Sequence, residues 1–410
     1  MKKLMLSLAA APLMLGTMAV SAQADGINIL DNVKLNGEIR PRYENADVKD
    51  NNKDAGQAYT NRLHLAATAG LFGIENLTTT LGIITVNNFG YTNYNSTQNG
   101  RTDYDVIADP QAAMLSEATL DYKIGKTAFH VGRSHVNLDN QRFIGTVGWR
   151  QLERSYDTAY IADNSIENLN LLAAYVYGFA GVKTTTTVET SSVLLHAAYK
   201  VADPLTVTLY DYMLASIHDT YGIALTGKFA FDSVKLNYRA EYAMQADPSL
   251  EYRVEDVKAD ANYMNIDLGA NIMGILAGVN YEVLSGTDGT DDKTAFSTPL
   301  ATAHKFNGWA DMFLKTPTGG LQDMNFRLGY KAKGFGKLLG VYHIFTAPEK
   351  MGGEDDLGTE IDAVYANAIP GVKGLKGLLK YAGYSKGKVA GYTSDKTVFW
   401  AMLDYKFTTK

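Results

Sequence analysis

Between Val33 and Tyr43 the side chains alternate without a break. Val33, Leu35, Gly37, Ile39, Pro41 and Tyr43 take the odd positions, and Lys34, Asn36, Glu38, Arg40 and Arg42 the even ones. A strand directs successive side chains to opposite faces, so this stretch needs an apolar medium on one side and water on the other. Its polar face is too highly charged to lie against a protein core. The rule recurs. Leu63 and Leu65 oppose Arg62 and His64; Leu236, Tyr238 and Tyr242 oppose Lys235, Arg239 and Glu241; Phe326 and Leu328 oppose Arg327; Phe399, Leu403 and Phe407 oppose Asp404 and Lys406. With weaker cases included, eighteen candidate strands lie near 33–43, 59–69, 77–86, 112–122, 127–133, 156–162, 168–179, 191–201, 205–214, 220–230, 234–244, 260–270, 275–284, 323–332, 338–346, 358–366, 374–384 and 397–407.

An even count returns both termini to one rim, as in single-chain bacterial barrels. The connections agree, because short turns (123–126, 202–204, 231–233, 333–337 and around Pro370) alternate with long polar ones. The long ones are expected at 44–58, 87–111, 134–155, 245–259, 285–322, 347–357 and 385–396. The segment HKFNGWADMFL (304–314) is expected inside one of these outer loops, with a short helix as an option. A soluble sandwich would also give many strands. Strands of about ten residues with tyrosine-rich flanks suit a tilted bilayer crossing instead. The fold expected is therefore all-β: an antiparallel transmembrane β-barrel of about 18 strands, whose sheet must close because hydrocarbon offers no partner to a free backbone group. At that size the lumen is aqueous.

The first residues, MKKLMLSLAAAPLMLGTMAVSAQA, combine two lysines, an apolar core and an Ala-Gln-Ala ending. They read as a signal peptide (1–24) ahead of a single barrel domain (25–410) in the outer membrane of a Gram-negative bacterium. The formal charge of -6 becomes -8 once Lys2 and Lys3 leave, which disfavours nucleic-acid partners. Cysteine is absent, so neither disulfides nor thiolate metal sites are expected.

Nine of the arginines fall on inward faces or in the glycine-rich stretch 131–161. With interspersed acids they form a candidate pore lining that favours anions: Arg40, Arg42, Arg62, Arg133, Arg142, Arg150, Arg154, Asp157, Arg239, Glu241 and Arg327. The competing reading is that arginines and acids only satisfy each other and stiffen the wall. No histidine stands in a hydrolase or zinc-protease motif, so no catalytic residue, no cofactor and no enzyme are expected. The acidic run TDGTDD (287–292) lacks the spacing of a calcium loop and reads as a solvated tip. Expected partners are outer-membrane lipid and lipopolysaccharide, and small anionic or saccharide solutes. Oligomeric state is left open. The terminal aromatic strand, with Tyr405 and Phe407, resembles the signal read by the barrel assembly machinery.

The elements Gly132-Arg133, Asn140-Gln141-Arg142-Phe143-Ile144-Gly145, Trp149-Arg150 and Arg154-Ser155-Tyr156-Asp157 resemble the alginate-export family of outer-membrane barrels. Residues 298–323 and the closing strands add to the likeness. Asn140 stands where that family carries an acid. The resemblance implies an eighteen-stranded barrel with an electropositive, loop-constricted channel. Two functions follow as expectations: a porin for passive diffusion of small hydrophilic, anionic solutes, or a dedicated export pore for an acidic polysaccharide such as alginate. A structural or adhesive barrel is the third.

Overall fold

A computed structural model describes residues 23–24, 27–252, 258–289 and 293–409. All of the expected signal peptide except Gln23–Ala24 lies outside the described residues, as do residues 290–292 of the acidic run. The wall consists of eighteen strands. These are β1 (Leu30–Val48), β2 (Gly56–Leu71), β3 (Leu77–Asn87), β4 (Ala112–Ile124), β5 (Thr127–Ser134), β6 (Ser155–Asp163), β7 (Leu169–Gly181), β8 (Thr184–Ala202) and β9 (Leu205–Leu214). The second half comprises β10 (His218–Phe231), β11 (Val234–Ala246), β12 (Ala261–Ile272), β13 (Ile275–Leu284), β14 (Leu321–Ala332), β15 (Gly336–Met351), β16 (Glu354–Ala368), β17 (Leu375–Ser385) and β18 (Lys396–Thr408). Each pairs antiparallel with the next, and β18 pairs back onto β1 through Tyr405↔Ile39, Ala401↔Tyr43 and Thr397↔Asp47. The sheet is a closed barrel without a free edge, which is the condition for a sheet in hydrocarbon.

Pairing keeps the alternation in phase from strand to strand. Arg40 lies opposite Arg62, Glu38 opposite His64, and Arg239 opposite Asp267, so the charged parity of each strand faces the same side. The other parity projects large apolar groups outward: Ile39, Leu195, Leu209, Ile223, Leu268, Phe326, Leu379 and Leu403 are all exposed, and Leu328 reaches 67 %. In a soluble protein such a surface would aggregate; around a barrel it is the lipid-facing belt. Aromatic residues gather at both rims. Tyr43, Tyr59, Tyr91 and Phe399 adjoin at the long-loop end, and Tyr330, Phe335 and Tyr365 at the short-turn end. Rings with a polar tip suit the membrane–water boundary.

All eighteen strands expected from the alternation occur, but several run further. Residues 347–357 are not a long loop: β15 and β16 continue to Met351 and Glu354 and meet in a tight turn. Strands β1 and β2 likewise take up most of 44–58, leaving 49–55 as the connection. Residues 180–190, between two expected strands, extend β7 and β8 to a two-residue turn. These hairpins project above the apolar belt, where alternation loses its meaning because both faces meet water. The segment 304–314 lies in a loop as expected, with one 3-10 turn at Ala303–Lys305. Among the described residues no helix is long and apolar enough to cross a membrane.

Because β18 supplies the last seam, deleting Tyr405–Lys410 should remove the Tyr405↔Ile39 and Phe407↔Gly37 pairing and stop assembly. Heat-modifiable migration on gels is expected to disappear in that variant.

Candidate functional site

Strands β5 and β6 have only 8 and 9 residues, so they stop part-way up the wall. The chain between them, residues 135–154, turns into the lumen. A second loop, 285–320, enters from β13 and returns to β14. The two hold each other by backbone bonds: Gly145 N–H donates to Leu300 (2.9 Å), and Thr302 N–H to Gln141 (3.0 Å). Phe143 anchors the junction among Tyr210 (5.3 Å), Tyr263 (5.4 Å) and Phe296 (6.0 Å). Facing aromatic clusters of this kind bury large apolar area, here against the inner wall of a polar tube.

Seven of the nine candidate arginines meet these loops; Arg133 and Arg327 pair only within the wall. Arg40 donates to the Gly148 carbonyl (2.7 Å) and pairs with Glu38 (2.7 Å); Arg42 donates to Trp149 O (2.6 Å) and pairs with Asp109 and Glu44. Arg62 holds Glu153 at 2.7 Å, and Arg142 holds Glu282 at 2.9 Å. Arg150 bridges Glu44 (3.1 Å) to Asp311 (2.7 Å), tying the wall to both loops. Arg133 grips Asp157 with two bonds of 2.7 Å. Arg239 pairs with Glu241 (2.7 Å) and, across the lumen, with Asp139 (2.5 Å). Arg327 pairs with Asp267 at 2.6 Å, away from the loops.

Arg154 differs. It donates to the carbonyls of Gly145 (3.1 Å) and Pro299 (3.3 Å), and among the described residues no carboxylate lies within ion-pairing distance of it. It lines a cavity of about 310 Å³ at the outer side, with Arg150, Lys183, Lys396, Glu44, Asp311 and Trp309.

Opposite the arginines, an acidic patch of wall receives loop 285–320. The backbone N–H groups of Trp309 and Ala310 donate to Asp362 (3.2 Å) and Glu360 (2.7 Å), and Asn307 donates to Glu282 (2.6 Å). Gly308 is required there: φ is +83°, and a Cβ would stand 2.5 Å from the Glu360 carboxylate. Beside it Lys380 is buried among all three tryptophans of the chain, 4.0 Å from Trp309, 4.2 Å from Trp149 and 5.2 Å from Trp400. Lys380 donates to His304 Nε2 (2.6 Å), and Nδ1–H of His304 donates to Asp311 (2.6 Å). This order fixes the neutral tautomer. Burial pushes the His304 pKa down to about 3; Asp311 opposes the shift, and Lys380 and Arg150 add to it.

Of the acids that complete these pairs only Asp157 and Glu241 were among the candidates drawn from the sequence; the others, together with Lys380 and His304, were absent. Glu38, Glu44, Glu282 and Glu360 share the inward parity of their strands, and that shared parity is the signal that marks them. Asp109, Glu153 and Asp311 lie in loops, where no parity applies. Among the described residues no group of three or more His, Asp or Glu is arranged to hold a metal ion.

No family model matches this sequence, and no curated protein does. Solved structures do. OccK9 (OpdG) of Pseudomonas aeruginosa superposes with a TM-score of 0.72 at 16% identity, over 92% of this chain and 99% of that one. OccAB2 of Acinetobacter baumannii gives 0.69 at 14%, over 93% and 99%. OpdK of Pseudomonas aeruginosa, solved with vanillate, gives 0.70 at 12%, over 92% and 99%. These are outer-membrane porins with eighteen-stranded barrels. At such identities the likeness establishes a porin-like fold.

The loop anchors make two predictions. Removing one partner of a buried pair costs about 3–5 kcal/mol, so Glu282→Gln should free the segment around Asn307 and make Lys305 a trypsin site in the folded barrel; the unaltered protein should resist cleavage there. Burial opposes ionisation of Glu153, yet Arg62 and His135 outweigh it and hold its pKa at about 2 against an ordinary 4.5. A depressed carboxylate stabilises fully above its ordinary value and loses that contribution as pH falls through the folded one. Loop 135–154 should therefore loosen between pH 4.5 and about 2, read as rising proteolysis with an acid protease, and Glu153→Gln should show that susceptibility already at pH 4.5, where the unaltered protein resists.

Proposed function

We propose that this chain is an outer-membrane channel for passive diffusion of small hydrophilic solutes, with a preference for anions. The observation that carries this reading is a closed cylinder, apolar outside and charged within, whose lumen is narrowed by two loops fixed in place. A tube of that kind offers a water path and a size limit but no reactive constellation. The OpdK structure holds vanillate, an aromatic carboxylate, and a solute of that charge fits the outer cavity where Arg154 has no acid beside it. In this reading Arg40, Arg42, Arg62, Arg133, Arg142, Arg150, Arg239 and Arg327, with Asp157 and Glu241, line the path and set its shape; Arg154, held by carbonyls and by no carboxylate, keeps an uncompensated charge for a passing anion.

The same reading places the mature barrel among lipid and lipopolysaccharide, after removal of residues 1–24 and insertion by the barrel assembly machinery. An export pore for an acidic polysaccharide is less favoured. The two loops interlock across the lumen, and the matching solved barrels give no support to membership of the alginate-export family.

Reconstitution in planar bilayers tests the proposal. Discrete ohmic current steps are expected, with a reversal potential in a KCl gradient displaced toward the chloride side. Persistent silence in bilayers containing correctly folded protein would contradict a channel and favour an adhesive barrel.

A further inference from the structure

Apart from Arg154, the lumen arginines are matched by acids, but the short-turn rim is different. Lys34, Lys228, Lys235, Lys331, Lys337 and Lys376 share the inward parity of β1, β10, β11, β14, β15 and β17, and all lie within about a turn's reach of that rim. Among the described residues none of the six has a carboxylate within ion-pairing distance. Of the inward acids at this level, Asp267 is engaged by Arg327 (2.6 Å) and Glu38 by Lys406 (3.2 Å), while Asp404 lies 3.8 Å from Lys406 and directly across from Lys376, one carboxylate between two ammonium groups.

One pair is unfavourable by itself. Lys331 and Lys337 are direct cross-strand partners, and Ala366, the next partner on β16, brings no acid. Like charges directly opposite destabilise a sheet, so burial and packing give no reason for this placement. Arg327, on the same face, is neutralised by Asp267 and offers the lysines no compensation. It lies flat against the wall because Gly278 leaves room, a Cβ there standing 2.7 Å from its guanidinium.

We propose that this lysine collar at the short-turn mouth, and not the arginine-lined constriction, is the electrostatic filter that gives the channel its anion preference. The inference rests on the channel reading above. An arginine with a carboxylate 2.7 Å away presents little net field to a passing ion, whereas unpaired lysines against a low-dielectric wall concentrate theirs into the lumen. Lysine also suits the task chemically. Its ammonium is a compact, strongly hydrated charge that attracts anions without the bidentate grip that would hold them. The constriction then selects by size and shape, and the collar selects by sign.

The test compares the wild type with K331Q/K337Q/K376Q and K331R/K337R/K376R in KCl gradients, each confirmed as folded by heat-modifiable migration. The Debye length is about 10 Å at 0.1 M salt and about 3 Å at 1 M. In the low range the glutamine variant should lose the chloride preference, and the arginine variant should keep it. Near 1 M all three should converge. A glutamine variant that conducts with an unchanged low-salt reversal potential overturns the collar while leaving the channel intact. A wild type that passes no current removes the channel, and the collar with it.

Discussion

A backbone amide or carbonyl has no partner in hydrocarbon, and the rest of this structure follows from that. Eighteen strands of alternating polarity can satisfy the requirement only by joining the last to the first, which β18 and β1 do along more than ten residue pairs. Closure at this circumference leaves a space too wide for side chains to fill. The sequence meets that second problem by cutting β5 and β6 short and sending the intervening chain inward, where it meets loop 285–320.

Loops in an aqueous tube need anchors stronger than van der Waals contact, and here charge supplies them. Arg150 reaches both Glu44 of the wall and Asp311 of the second loop, and Arg142 in the first loop reaches Glu282 of the wall. Each such pair is costly to desolvate and more costly to break, so the loops have one arrangement. The same property removes these arginines from the net field of the lumen. Lysines at the short-turn rim, lacking acids, remain electrically visible, and shape and charge selection thereby occupy different levels of one tube.

Much of the wall was legible from residue order, since period-two alternation survives wherever lipid lies on one side and water on the other. Val33–Tyr43 and Phe399–Phe407 are read directly. Above the belt the signal fades: nothing in the polar run Pro348–Asp356 distinguishes a long loop from the extended hairpin that β15 and β16 form. The inward arginines could be placed by parity, but their partners could not be paired. Arg150 with Asp311 and Arg239 with Asp139 join residues 161 and 100 positions apart. Such contacts depend on how two loops fold within a cylinder, which no local pattern encodes. Lys380 is the clearest case. It alternates like any inward lysine, yet three tryptophans from three separate segments enclose it.

Amide hydrogen exchange of the protein in lipid vesicles distinguishes a closed barrel with fixed lumen loops from an open sheet. Slow exchange is expected around the whole wall, with Thr397–Thr408 as protected as Leu35–Val48, and comparable protection at Gly145, Thr302 and Ala310 inside the lumen. Fast exchange along β18, as at an open edge, or in all three lumen amides would contradict a closed barrel with loops fixed across it.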